Sequence, residues 1–229
     1  MNNLTTHGWN KNQKLLRKLF KSKSTFHEAV KLCKIQHALV HPSFMGATSD
    51  KTFFDLVLED INENCYRQLQ DTKTNRTILY DIWHSTRIED ITVSILVKDS
   101  VQVINTDDWQ TKLNTRVSDT GNAMDSSEIL KLSSELNIKA LIDYRVEVAR
   151  QTQRVLDSLT PDDLKRKFSK EQSQRIIAEK AVLEQEKSIW LIDFWGKKNV
   201  AGILLMPATR HHLVHINACL KLKKKCNRF

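Results

Sequence analysis

Residues 75–98 read NRTILYDIWHSTRIEDITVSILVK. Ile78, Ile82, Ile88, Ile91 and Ile95 recur there at helical spacing, so one long helix is expected over Asn75 to Lys98. A second long helix is expected from Ser126 to Leu159. It lines Ile138, Leu141, Ile142, Arg145, Val148, Ala149, Thr152, Val155 and Leu156 along one face. Working outward, a lysine-flanked stripe of Trp9, Leu15, Leu16, Leu19 and Phe20 predicts a helix from His7 to Lys21. Thr25 followed by Glu28 fits a capping box opening a helix that ends at His41-Pro42. Asp50 to Leu69 also reads as helical, and Ile104 to Asp125, with its Thr120-Gly121-Asn122 turn signal, as a connection. Thr160-Pro161-Asp162-Asp163 resembles a helix start running to Lys170. Residues 171–187 read as helix, 189–205 as ambiguous, and Thr209 to Lys225 as a last helix.

Composition agrees with long helices and few turns. The 229 residues include only 5 Gly and 3 Pro, under half the usual share of each. Many-stranded sandwiches and barrels need turn residues more often than that, and no Gly-rich phosphate cradle is present. The expectation is an all-α chain: a single domain over residues 1–229, a four-helix bundle with long crossover connections plus extra short helices. No apolar run reaches the roughly 18 residues of a membrane span, and Met1 to Asn12 lacks a secretory pattern. The scattered Cys33, Cys65, Cys219 and Cys226 read as reduced thiols, which makes the cytoplasm the default compartment.

Net charge is +9, with +7 carried by residues 1–34 and +5 by residues 220–229, leaving about −3 between them. Such termini can meet nucleic acid or acidic lipid, or form the solvated faces of terminal helices. Aromatic residues are 7% of the chain and do not alternate with basic ones, so specific nucleic-acid binding is not expected.

Chemistry is expected from histidine. His211 and His215 stand four apart on the last helix, close enough on one face to share a cation, and mid-helix His84 is the natural third ligand. Three imidazoles suit Zn²⁺ or Ni²⁺ and leave coordination positions open. The plain alternative is a pair of half-exposed helical histidines. His212 points about 100° away from His211 and reads as a surface or supporting residue. His37 and His41 repeat the spacing, but against Pro42, where the helix is expected to fray. Arg87, on the His84 face, is placed to neutralise an anionic substrate. Glu89 or Asp90 could orient a ligand histidine; all three could equally form interhelical salt bridges. Tyr144 and Arg145 sit mid-helix, where polar groups need partners.

Trp83-His84-Ser85-Thr86-Arg87-Ile88-Glu89-Asp90, followed by His211-x-x-x-His215-Ile216-Asn217, resembles the DinB-like (DNA-damage-inducible) superfamily. The resemblance implies an up-down-down-up four-helix bundle and a divalent metal held by His84, His211 and His215. Segments 25–70 and 162–206 are longer than a minimal member needs. It implies a metal-dependent enzyme, first a thiol-dependent S-transferase acting on a small molecule with a low-molecular-weight thiol. A metal-dependent hydrolase and a non-catalytic binding module are the alternatives. No membrane partner is expected, and exposed bundle faces leave room for a homodimer.

Overall fold

The computed structural model describes residues 4–45, 50–69 and 75–226, and it is all-helical: 71% helix, with no strands among the described residues. Arg228 of the C-terminal basic cluster, residues 1–3 of the N-terminus, and positions 46–49 and 70 of the segment 25–70 lie outside that range. Thr5 caps α1 (Thr6–Leu19), its side chain accepting from the Gly8 N–H. α2 (Phe26–Ala38) follows a 3₁₀ turn rather than the expected capping box. The Thr25 hydroxyl donates instead to the carbonyls of Leu19 and Ser22.

The stretch expected as one helix over Asp50 to Leu69 forms two short ones, α3 (Asp55–Leu58) and α4 (Glu63–Arg67). Asp60 between them stands at φ 46, a left-handed conformation no helix continues through. α5 (Ile78–Ile91) is capped by Thr77 and passes straight into a π turn over Thr92–Val97. α6 (Trp109–Leu113) interrupts the connection read over 104–125. Gly121 makes the expected turn there at φ 73.

The expected Ser126–Leu159 helix is likewise two. α7 (Ser126–Glu135) carries an Asp125/Glu128 capping box. α8 (Ile138–Ser158) starts anew at Asn137, whose side chain accepts from the Ala140 N–H. Thr160-Pro161-Asp162-Asp163 yields only a 3₁₀ turn, because the Asp163 carboxylate folds back to accept from the Thr160 N–H and hydroxyl. α9 (Lys170–Ala178), α10 (Glu186–Gly196) and α11 (Val200–Leu205) follow. A second π turn, Met206–Arg210 with Pro207, leads into α12 (His211–Cys226).

α5 is the axis of the packing. α12, α8, α7 and α4 all lie against it, while α2 packs on α8 and α1 on α2. Every residue of α5 is buried. Its apolar side chains divide between two hydrophobic clusters: Ile78, Leu79, Ile82 and Trp83 belong to one, Ile88 and Ile91 to the other. Between these two apolar regions runs a buried polar belt of His84, Ser85, Thr86, Arg87, Glu89 and Asp90.

Buried charge needs partners, and the belt supplies them. Arg87 donates to the Ser118 carbonyl from Nε (3.0 Å) and Nη2 (2.6 Å), and to Gln102 Oε1 (2.6 Å). From Nη1 it donates to Asp90 (2.7 Å) and to the Tyr144 hydroxyl (2.6 Å). All five N–H groups of the guanidinium are thereby committed. The expected role of Arg87, meeting an anionic substrate, gives way to a structural one. Asp90 also accepts from the Tyr144 hydroxyl (2.6 Å), from Ser94 (2.7 Å) and from the N–H groups of Val103 and Ile104 (2.8 and 3.0 Å). It thus pins the chain leaving α5.

A disulfide joins Cys65 on α4 to Cys226 at the end of α12, with 5.9 Å between the Cα atoms. This corrects the reading of four reduced thiols. The two residues are 161 apart in sequence, and nothing local to either foretells the pair. Cys33 and Cys219 are free and buried, and burial pushes the Cys33 thiol up to about 12. Among the described residues no helix is long and apolar enough to cross a membrane.

The belt gives a first expected outcome. Tyr144→Phe removes a hydroxyl that links a fully buried cation and a fully buried carboxylate. Hydrogen bonds to charged groups are worth about 1.5–3 kcal/mol each, so urea unfolding should show a loss of at least that size. A variant as stable as the parent would show that the belt is not under load.

Candidate metal centre

His84 reaches the site from the middle of α5, and His211 and His215 from the first turns of α12. These two helices pack directly on each other. Rings of His84 and His211 lie 5.1 Å apart between centroids, His84 and His215 4.8 Å, and His211 and His215 4.4 Å. One ring nitrogen from each falls within 4.8 Å of the others, so the three could hold a single metal ion. The expected pairing of one mid-helix histidine with an i, i+4 pair is therefore brought together in space.

The far side of two of the rings fixes what their near side offers. His84 Nδ1–H donates to the Thr120 carbonyl at 2.7 Å. His215 Nδ1–H donates to the Asp81 carboxylate at 2.8 Å. Both tautomers are then set, and both Nε2 atoms present lone pairs to the centre. His211 Nε2 stands 3.1 Å from His215 Nε2, while its own Nδ1 is buried without a hydrogen-bond partner. Burial, followed by the neighbouring imidazoles, holds His84 and His211 well below the usual histidine range. Neutral imidazoles with inward lone pairs are the form in which histidine binds a cation.

Asp81 was not singled out from sequence, where Glu89 or Asp90 were considered for its role. Its signal was available: it lies three residues before His84, on the same helical face. Thr120 was visible only as part of a turn. Gly121 beside it holds φ 73, and a Cβ there would meet the Tyr80 ring at 3.1 Å. The backbone that aims His84 therefore needs glycine next to it.

A cavity of about 130 Å³ opens beside the rings of His84 and His211. His84 and His211 form one wall, and Ile88, Trp190, Phe194 and Met206 contribute apolar ones. Trp190 is 50% exposed and Phe194 38%, edge to face at 5.7 Å on α10, so this wall faces solvent. Asn122 lines the same cavity with a buried Oδ1 that has no partner. Two wider surface grooves, of about 930 and 970 Å³, contain none of the histidines.

His212 is fully buried, not on the surface. It faces the other side of α12, toward Glu89. That carboxylate sits among His37 Nε2 (2.6 Å), His41 Nε2 (3.2 Å) and His212 Nε2 (2.7 Å), and accepts from the Thr152 hydroxyl at 2.6 Å. Burial alone would raise Glu89; the ring of His41, His37 and His212 outweighs it and holds the carboxyl well below its usual range. Burial also lowers His41 well below the ordinary histidine value and His212 to about 4. Arg145 bridges this group to α5, donating to His212 Nδ1 (2.8 Å), Thr86 (2.9 Å) and the Val40 carbonyl (2.8 Å).

The lowered histidines fix a pH dependence. In the unfolded chain His41, His84, His211 and His212 take up protons near pH 6.5, while the folded chain refuses them until lower pH. The unfolded state binds more protons in that window, so stability falls as pH is lowered from about 6.5 toward 4.5. Each group adds up to about 1.4 kcal/mol of loss per pH unit. Urea midpoints in chelator should be level from pH 8 to 7 and drop steadily below 6.5; a midpoint that rises on acidification would contradict the assignment. No protein-family model and no curated protein matches this chain.

Proposed function

We propose that the chain is a metal-dependent enzyme with His84, His211 and His215 as its ligands, acting as a thiol-dependent S-transferase. The observation that carries this reading is the three-histidine cluster with two tautomers already set toward its centre. The motifs around His84 and His211 resemble the DinB-like superfamily, and the same reading includes that family's up-down-down-up four-helix bundle, with α5 and α12 bearing the ligands. The donor set fits a first-row divalent cation, Zn²⁺ or Ni²⁺, since all three donors are imidazole nitrogen. Such a cation, when bound, lowers a thiol's pKa and steadies the thiolate.

The rest falls to the chain's own groups. Asp81 and the Thr120 carbonyl hold two of the rings in place, so little reorganisation is needed when a substrate arrives. Ile88, Trp190, Phe194 and Met206 give the cavity apolar walls that suit a small alkyl or aryl electrophile better than a charged one. The unpartnered Asn122 amide is the polar handle available to orient it. In the transfer, the thiol sulfur forms a bond to an electrophilic carbon while the bond from that carbon to its leaving group breaks. These apolar walls favour this reading over hydrolysis, whose nucleophile is water.

His211→Ala is the cleanest test. His211 Nδ1 has no partner and its Nε2 meets only His215 Nε2, whereas His215→Ala would take from the buried Asp81 its 2.8 Å partner and leave it the longer Arg76 contact at 3.5 Å. The variant should keep its helical circular dichroism and lose transfer activity at least 100-fold in a screen of thiols against alkyl and aryl electrophiles. Unchanged activity would place the chemistry elsewhere. Activity confined to a parallel ester and amide panel would favour the hydrolase, and silence across both panels a binding module.

A further inference from the structure

We propose that His37, His41 and Glu89 form a second metal site, independent of His84, His211 and His215, which takes a first-row divalent transition cation in a structural role. Their ligand atoms lie within 4.8 Å of one another, and all three side chains have no solvent exposure. α2 supplies His37, the turn after it supplies His41, and α5 supplies Glu89. The two rings stand 4.3 Å apart between centroids although α2 has already ended at Ala38.

The observation that points to a ligand is His41. Neither of its ring nitrogens has a hydrogen-bond partner, although both are buried. Nε2 approaches Glu89 Oε2 to 3.2 Å, but without the direction an N–H donor requires. A fully buried imidazole left unpaired forfeits all its hydration. A cation between His41 and Glu89 gives that imidazole the partner it lacks.

The neighbours separate ligands from supports. Arg145 can only donate, so His212 Nδ1 accepts from it and the His212 proton sits on Nε2, toward Glu89. His212 therefore steadies the carboxylate and is not a ligand, and Arg145 reaches Glu89 only through it. The Thr152 hydroxyl steadies Oε1 in the same way. For His37 Nε2 to ligate, its Nδ1 must carry the proton. The Gln153 amide lies 2.8 Å from Nδ1, and turning it end for end lets its oxygen accept. The contact given up, to the Lys34 carbonyl, is the longer one at 3.3 Å.

Two imidazoles and one carboxylate suit Zn²⁺, Co²⁺ or Fe²⁺, and supply too few oxygens for Ca²⁺ or Mg²⁺. With both Glu89 oxygens counted, four donors surround the position. No substrate-sized opening among the described cavities includes these residues. A closed shell of this kind is structural, and its cation enters as the chain folds.

The test is metal counting on the full chain, unfolded in chelator and refolded with Zn²⁺ or Co²⁺, in parallel with protein purified without chelator or affinity tag. The parent should hold two equivalents, His41→Leu one, His211→Ala one, and the double variant none. His41→Leu removes no hydrogen bond, so it should fold; Glu89→Gln is the second variant, and the parent's count stands without either. One equivalent in the parent, kept in His41→Leu and lost in His211→Ala, would overturn this proposal and leave the proposed function standing. One equivalent lost in His41→Leu and kept in His211→Ala would support it and overturn the triad instead. Two equivalents in both parent and His41→Leu, or none in the parent, would also overturn it.

Discussion

Asp81, His84, Arg87, Glu89 and Asp90 are carried by one helix that has no solvent face. Burying that much polarity is unfavourable unless each group finds a partner, and much of the molecule is arranged to provide one. Tyr144 and Arg145 come from α8 and His212 and His215 from α12, with His37 and His41 from α2 and the turn after it. The connections contribute the Ser118 and Thr120 carbonyls and the N–H groups of Val103 and Ile104. The belt therefore does more than fill the space between two apolar clusters. It dictates which helices lie against α5 and in what rotation, because only one rotation brings each partner within hydrogen-bond reach.

The helical character of the chain and the three-histidine constellation were legible in the sequence for the same reason. Both rest on short-range spacing: the isoleucines at 78, 82, 88, 91 and 95, and His211 with His215 one turn apart. What was not legible depended on contacts distant along the chain. The break at Leu136-Asn137 is hidden inside a continuous amphipathic pattern, and only the Asn137 cap reveals it. The short helices α3 and α4 are separated by a left-handed Asp60, a conformation that composition does not announce. Arg87 was misjudged because its spacing from His84 is correct, whereas its five hydrogen bonds go to Asp90, Tyr144, Gln102 and Ser118. The Cys65–Cys226 bridge closes a loop of 161 residues.

The two histidine pairs make an instructive contrast. His211 and His215 lie on an intact helix, and the support of His215, Asp81, is an acid one turn from His84 that spacing could have found. His37 and His41 share the spacing, but the helix between them has ended, and their common partner Glu89 stands 52 residues from His37. His211 and His212, adjacent in the chain, look to opposite sides of α12, so one helix contributes to both groups. A single dipeptide thus serves the exposed-walled cavity on one side and the sealed polar belt on the other.

Full burial of α5 has a consequence for how the molecule moves. An element with no outward face has no inexpensive local opening; exposing any part of it means lifting α8 or α12 away, which is close to unfolding the whole. Only the other wall of the cavity meets solvent. That wall is α10, with half-exposed Trp190 and Phe194, adjoining the π turn that contains Pro207. The architecture therefore sets a fully buried helix, which keeps His84 in register with the two imidazoles of α12, opposite a half-exposed aromatic wall.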